Sequence, residues 1–98
     1  MKEKIMVLVK EPRRKAELRE IDNRLRTLQE IVGGYIETVA LSDGGILICD
    51  EEGLVKGTVP FNMRVEGHMI FGTFIVCGSD GEAFTDVPLQ CAARFLGG

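Results

Sequence analysis

The polar side chains best suited to bind a small ligand lie between residues 58 and 68. Asn62 can both donate and accept hydrogen bonds, and the planar guanidinium of Arg64 suits a phosphate or a carboxylate. Tyr35 offers an aromatic surface for stacking, so the three residues together could hold a nucleotide-like ligand. The simpler alternative is a loop in which Asn62 and Arg64 only satisfy backbone groups and a surface carboxylate.

Glu37 and Thr73 complete the candidate contacts. Tyr35 and Glu37 are two residues apart on a predicted strand, so they share one face of the sheet. A glutamate buried there without a partner would cost several kcal/mol. This face is therefore either exposed to solvent, or Glu37 has a partner such as Arg64. Thr73 lies in the predicted strand that follows the loop. The candidate ligand-binding residues are Tyr35, Glu37, Asn62, Arg64 and Thr73.

No arrangement in the sequence predicts catalysis. His68 is the only histidine, and because an apolar strand follows it, we interpret it as a strand-edge residue. Cys49, Cys77 and Cys91 form no C-x-x-C pair, which is typical of reduced cysteines in a cytoplasmic protein and argues against a zinc site. We therefore expect a non-enzymatic protein with no catalytic residues, metal or cofactor.

Two glycine pairs have alternative interpretations. A phosphate-binding loop needs a helix that begins after its glycines, whereas the helix predicted here ends at Gly33-Gly34, which favours a helix cap. Gly97-Gly98 resembles the glycine pair that ends ubiquitin-like modifiers and sulfur carriers. In those proteins a strand leads to the tail, whereas residues 86–96 look helical, so the carrier remains an alternative.

Charge and hydropathy exclude several classes of partner. The net charge of −3 does not favour general affinity for nucleic acid or for an anionic membrane surface. The basic cluster Arg13-Arg14-Lys15 lies among glutamates and is most simply a solvated hairpin tip. No apolar run approaches the roughly 18–20 residues that cross a bilayer. The run Ile5–Val9 is too short for a signal peptide, so we expect a cytoplasmic protein.

One helix organises the predicted fold. Leu25, Leu28, Ile31 and Val32 recur at helical spacing, so one face of this helix must be buried. We expect Asp22 to cap its first turn. A second, short helix is predicted over Val87–Phe95, with Asp86 as its cap.

The predicted strands alternate with turns rich in glycine and aspartate. They are Lys4–Lys10, Lys15–Ile21, Tyr35–Ala40, Ile46–Cys49 and Met69–Cys77, with a further short strand beginning at Leu54-Val55 and a long ordered loop over Thr58–His68. Gly72 inside the last strand indicates a bulge or the close approach of another backbone or a ligand. We predict one α+β domain over residues 1–98. It has a mostly antiparallel sheet of about five strands, one main helix packed on it and a short C-terminal helix.

The string Leu-Gln-Glu-Ile-Val-Gly-Gly-Tyr-Ile-Glu at residues 28–37 resembles the hallmark of a small domain family of unknown function. That family is common in phages and mobile elements of Gram-positive bacteria. The resemblance extends over residues 5–95 and includes residues 51–53, Asn62, Arg64 and residues 70–78. The Thr58–His68 loop is shorter here, and the C-terminus lacks the charged helix that family members tend to carry.

The resemblance implies a setting more than a chemistry. Small accessory proteins of phages often act against host defence systems, by blocking a protein or by sequestering a nucleotide signal. Our leading hypothesis is therefore a nucleotide-binding protein that interferes with host defence. The alternatives are a module that blocks a host protein through the hairpin Lys10–Ile21 or an exposed sheet edge, and a ubiquitin-like carrier. A homodimer is expected as well, because a chain this small leaves apolar strand faces uncovered.

Overall fold

An antiparallel sheet forms the centre of the fold in the computed structural model, which describes residues 3–97. The strands are β1 (Lys4–Lys10), β2 (Glu17–Asp22), β3 (Ile36–Ala40), β4 (Ile46–Asp50), β5 (Phe61–Val65), β6 (His68–Phe71), β7 (Phe74–Ser79) and β8 (Phe84–Thr85). The five main strands of the central sheet follow the order β2-β1-β7-β4-β3, and the short β8 pairs with β7. Strands β5 and β6 form a separate antiparallel hairpin.

Three helices complete the chain. They are α1 (Leu25–Val32), α2 (Gly53–Lys56) and α3 (Leu89–Leu96). None of the helices formed by residues 3–97 is long and apolar enough to span a membrane. The α+β class, the antiparallel sheet of five main strands and the C-terminal helix are as the sequence predicts.

Both faces of the central sheet are covered, which explains why its inner strands are almost entirely apolar. On one face, Leu28 and Val32 of α1 pack in a cluster with Ile75 of β7. On the other face, the β5–β6 hairpin and α3 pack in a cluster that includes Phe74 and Val76 of β7. Successive residues of β7 therefore point into two different cores, as the period of a strand requires.

The two predicted helix caps are wrong. Asp22 is the last residue of β2, and its carboxylate lies 2.7 Å from Nζ of Lys4 across the strand pair. The residue before α1 is Arg24, and no side-chain hydrogen bond caps this helix. Asp86 Oδ1 accepts a hydrogen bond of 2.8 Å from the backbone N–H of Met6, and α3 begins after Pro88. Both carboxylates thus contact β1, and neither forms a side-chain cap of α1 or α3.

The predicted loop over Thr58–His68 is also wrong, because most of it forms strand β5 and the turn into β6. Leu54 and Val55 lie in α2 rather than in a strand. The predicted strand Met69–Cys77 is divided into β6 and β7 at Gly72, whose φ is +80°. A Cβ on Gly72 would lie 2.8 Å from Cγ1 of Val59, so the group that approaches this glycine is a side chain and not the expected backbone or ligand.

Gly33 ends α1 as the sequence predicts. Its φ of +89° is left-handed, and its N–H donates to the Gln29 carbonyl. Gly34 is required for a different reason, because a Cβ there would lie 2.9 Å from both Asp50 Oδ1 and Lys56 Nζ.

Candidate functional site

Four cationic side chains from the end of β1 and the β1–β2 connection line one open groove with a volume of about 540 Å³. The end of α3 and the residue after it form the opposite wall. The lining residues are Lys10, Arg13, Arg14, Lys15, Ala16, Phe95, Leu96 and Gly97, and we call this site the basic groove. The site therefore combines positive charge on one side with apolar surface on the other.

Lys10 is held in place by Asn62 of the β5–β6 hairpin. Lys10 Nζ donates to Asn62 Oδ1 at 3.1 Å and to the Glu11 carbonyl at 2.9 Å. The amide nitrogen of Asn62 in turn donates to the carbonyls of Lys10 at 2.9 Å and Gly72 at 2.8 Å. Asn62 thus joins the hairpin to the end of β1 and orients one of the four cations.

Arg13 adopts a left-handed backbone conformation with a φ of +65°, which is uncommon for a residue other than glycine. The turn that contains it is closed by a hydrogen bond of 3.2 Å from Arg14 N to the Glu11 carbonyl. Backbone conformations of this kind cost free energy and are concentrated at functional sites. Here the strained turn brings Arg13, Arg14 and Lys15 to one groove.

The cationic side chains of the β1–β2 connection are not paired with the glutamates near them in the sequence. Within residues 3–97, the side chains of Arg13, Arg14 and Lys15 form no ion pair, whereas Glu11 and Glu17 both pair with Arg19. The distance from Arg19 to Glu11 Oε2 is 3.8 Å. Glu11 and Glu17 thus pair with Arg19 and not with Arg13, Arg14 or Lys15, although both glutamates lie in a groove beside Arg14 and Lys15.

The apolar wall depends on the position of α3. The Phe95 ring packs edge-on against Phe74 with a centroid distance of 5.7 Å. The guanidinium of Arg94 lies 5.0 Å from the centre of the Phe95 ring. Leu96 remains 45% exposed beside it. The two α3 side chains offer an apolar surface next to the cations, an arrangement that suits a ligand with a charged part and a flat or apolar part.

A network of charged groups anchors α3 to two turns. Arg94 Nε lies 3.3 Å from Asp43 Oδ2 in the β3–β4 turn, and Arg94 NH1 lies 2.9 Å from Glu66 Oε2 in the β5–β6 turn. The backbone N–H of Ser42 also donates to Glu66. The hydrogen bond from Arg94 holds the pKa of Glu66 below its ordinary value. Arg94 is thus occupied by structural contacts, and these set the position of Phe95.

The structure places Tyr35 and Glu37 together at the outer edge of the sheet, far along the strand order from β1. Both are exposed, Tyr35 by 68%, and Glu37 lies opposite Cys49 in the β3–β4 register. Glu37 and Arg64 form no ion pair within the described part of the chain. Of the two sequence alternatives for Glu37, exposure to solvent is therefore the one observed.

The other three candidates separate into two places. Asn62 and Thr73 lie on either side of Gly72, whose carbonyl accepts the Asn62 hydrogen bond. Thr73 lines a groove beside Asp50 and Lys56 at the end of α1. Arg64 is exposed on β5 and lines a different, smaller groove beside Arg94 and Phe95. The five residues thus do not form one site. Asn62 contacts the basic groove through Lys10, and the groove that Arg64 lines shares Phe95 with it.

The residues that sequence reasoning missed carried a visible signal. Arg13-Arg14-Lys15 is a basic cluster in an acidic chain, but a solvated hairpin tip explains it equally well when the sequence alone is considered. What distinguishes the two interpretations is the α3 wall, more than 75 residues away in sequence. The contact between these distant segments exists only in the folded chain.

A family model matches residues 1–97 of the chain, and its description is Domain of unknown function (DUF3846). No curated protein and no solved structure matches the chain. The match confirms the resemblance to an uncharacterised domain family over nearly the whole sequence.

Proposed function

We propose that this chain, which belongs to the family of the domain of unknown function DUF3846, is a non-enzymatic protein that binds a small nucleotide-type anion. The observation that carries this proposal is the basic groove, where four cations from the end of β1 and the β1–β2 connection face the apolar end of α3. Because the ligand is to be held and not converted, the site requires affinity and no catalytic group.

The distribution of charge supports a small ligand rather than a nucleic acid. Four of the twelve cationic residues of the chain lie within residues 10–15, although the net charge is −3. A local positive site in an acidic protein attracts a compact anion, whereas a long polyanion would also meet the acidic remainder of the surface. The groove volume of about 540 Å³ lies within the usual range for small-molecule sites.

The two walls of the basic groove suit two chemically different parts of a ligand. The guanidinium groups of Arg13 and Arg14 can each donate two parallel hydrogen bonds to a phosphate, and the ammonium groups add charge. Phe95 and Leu96 offer apolar contact to a base or a ribose. A nucleotide has this combination of parts, and inorganic phosphate has only the first.

By sequestering such a signal, the protein would interfere with a host defence pathway. This setting rests on the resemblance of residues 28–37 to a family found in phages and mobile elements, and it remains part of the proposal. A protein acting in this way needs to bind its ligand tightly and to be present in sufficient amount. It needs no partner protein.

Thermal shift and calorimetry against cyclic dinucleotides and ADP-ribose, with inorganic phosphate for comparison, test the proposal. A bound nucleotide at saturating concentration should raise Tm by several degrees. Arg14→Glu should abolish the shift, whereas Arg64→Glu, which makes the same charge change at an exposed site outside the basic groove, should retain it. If Arg64→Glu alone abolishes binding, the ligand lies in the smaller groove beside Arg64 and not in the basic groove.

A protein-blocking module is the second candidate. If none of these nucleotides moves Tm by more than about one degree, the nucleotide proposal fails. The open edge of β3 then favours the interaction module, which a pull-down from host lysate would test. The carrier alternative has less support, because α3 and not a strand leads to Gly97. Gly98 lies outside the described residues.

A further inference from the structure

Strand β3 forms one end of the central sheet, and its outer edge is open along the described chain. Glu37, Thr38 and Ala40 are exposed, and Ile36 and Val39 are half-buried. An open strand edge carries backbone donors and acceptors that have no partner within the sheet, and it is a template for another strand.

The backbone groups that face this edge follow from two hydrogen bonds at the ends of the β3–β4 pair. The N–H of Leu41 donates to the Gly45 carbonyl at 2.9 Å, and the N–H of Glu51 donates to the Tyr35 carbonyl at 2.9 Å. In an antiparallel pair, residues that bond to the partner strand alternate with residues that do not. The odd-numbered residues 35–41 therefore bond to β4, and the backbone groups of Ile36, Thr38 and Ala40 point outward.

We propose that β3 pairs antiparallel with β3 of a second copy of this chain, about a two-fold axis at Thr38. This register pairs Thr38 with Thr38 of the second copy and Ile36 with Ala40. Each of these residues points its backbone outward in both copies, so every pair can exchange two hydrogen bonds. Paired threonines on neighbouring strands also interact favourably.

Charge and the number of hydrogen-bonded pairs favour this register over its two neighbours. An axis at Glu37 would place two carboxylates directly opposite each other, which is destabilising. An axis at Val39 would lose the pair between Ile36 and Ala40. With the axis at Thr38, Glu37 lies opposite Val39, and all three outward-facing residues are paired.

The opposite edge of the sheet does not allow the same pairing. The N–H of Asn23 donates to the Glu3 carbonyl at 2.8 Å, so by the same alternation Leu18, Glu20 and Asp22 of β2 point outward. Self-pairing about Arg19 or about Glu20 would place like charges opposite each other. Self-pairing about Ile21 would place Glu20 against Asp22. These three registers are opposed by charge, which is a common protection of edge strands, and an axis at Leu18 would pair only residues 17–19 of β2. The second copy is expected at β3 and not at β2.

Sedimentation of the full chain over a range of concentrations tests the pairing. We expect the mass to rise from 10.8 kDa to twice that value as concentration increases. Thr38→Pro removes only an outward-facing N–H and should weaken self-association at least about tenfold, while the fold remains intact by circular dichroism. Glu20→Pro makes the matched change on β2. Its mass should rise with concentration as that of the wild type does. If Thr38→Pro fails to fold, Thr38→Lys serves instead, because it places two ammonium groups opposite each other.

A cysteine at position 38 tests the register itself. Opposed residues in such a pair have Cα atoms about 5.5 Å apart, within the range that a disulfide requires. Thr38→Cys should therefore form a disulfide-linked dimer on oxidation, whereas Glu37→Cys should not. The native cysteines are buried and provide a low background. A wild-type chain that stays monomeric at all concentrations, or equal cross-linking of both variants, would overturn the proposal.

Discussion

The ammonium nitrogen of Lys56 lies 2.5 Å from Oδ2 of Asp50, the one buried acidic side chain among residues 3–97. The Asp50 side chain is 3% exposed, and its other oxygen accepts a hydrogen bond of 2.9 Å from Glu52 N. Lys56 also donates to the Gly33 carbonyl at 3.1 Å. This contact thus joins the ends of α1 and β4 to α2, and Gly34 allows the close approach.

Removal of Lys56 should therefore destabilise the fold more than neutralisation of Asp50. Lys56→Met leaves a buried carboxylate with the Glu52 hydrogen bond alone, and we expect a loss of about 2–3 kcal/mol in the free energy of unfolding. Asp50→Asn keeps that hydrogen bond and should cost about 1 kcal/mol. Urea unfolding of both single variants and the double variant measures the coupling. A loss below about 0.5 kcal/mol for Lys56→Met would contradict this, because it would mean that the pair contributes no more to stability than an ordinary surface ion pair.

Arg13→Gly should stabilise the protein and weaken ligand binding. The φ of +65° at this position is unfavourable for a residue with a Cβ, and glycine adopts it freely. We expect a gain of up to about 1 kcal/mol in the free energy of unfolding. The same change removes one guanidinium from the basic groove. Denaturant unfolding measures the first effect, and calorimetry with whichever nucleotide of the test panel binds the wild-type chain measures the second, with Arg64→Gly as the control at an exposed arginine. If Arg13→Gly binds the nucleotide with unchanged affinity, Arg13 does not contact the ligand.

The Arg94–Glu66 contact predicts a loss of stability in acid. The pKa of Glu66 is lower in the folded chain than its ordinary value of 4.5, chiefly because of the hydrogen bond from Arg94. This contribution to stability is therefore fully present above the unfolded-state pKa, and it is lost as the pH falls through the lower folded-state pKa. Unfolding measured from about pH 6 down to about pH 3 should show a shallower decline for Arg94→Met than for wild type. Arg26→Met, which removes the same charge on α1 at the other face of the sheet, should keep the wild-type slope.

The three thiols should react only when the chain opens. Burial raises the pKa of Cys77 to about 12 and that of Cys49 to about 11. The pKa of Cys91 is also raised to about 11, by burial and by its hydrogen bond to the Asp43 carboxylate. With a disulfide reagent at about pH 8, we expect little reaction in the folded protein and three thiols after denaturation. Rapid reaction of the folded protein would contradict this burial.

Gly45→Ala extends the thiol experiment to a single contact. A Cβ at Gly45 would lie 2.6 Å from Sγ of Cys91, so the Cys91 side chain, or α3 with it, must shift. Cys91 should then become the first thiol to react, as peptide mapping would show. Gly44→Ala is the control, because a Cβ there meets nothing within 4 Å although its φ of +92° adds backbone strain. If both variants react equally, strain and not the contact would be the cause.

Several elements could be predicted because their signals are local. The run Lys4–Lys10 is apolar and bounded by lysines, and it forms β1 with the same bounds. The helical spacing of Leu28 and Val32, followed by a glycine in the left-handed region, locates the end of α1 correctly. Short-range periodicity and turn chemistry are sufficient in such segments.

The errors occur where a tertiary contact overrides the local signal. Asp22 and Asp86 have the residue type of a cap, but each is used in a contact with β1. The β5–β6 hairpin could not be predicted from the sequence. Its pairing is irregular, with a register shift between Phe61 and Met63, so its residues show no clear period. Its apolar residues are buried by the sheet beneath them and not by their own spacing.

The sequence by itself determined the class of the fold, the central apolar strands, the main helix with its glycine end, and the acidic character of the chain. The strands, the helix and its glycine end depend on residues close together along the chain, and the net charge is a sum over all residues. Only the tertiary structure decided that Lys10, Arg13, Arg14 and Lys15 face Phe95 and Leu96, and that β3 and not β1 has an open edge. Both are relationships between distant segments, and their positions follow from how the hairpin and α3 pack on the sheet.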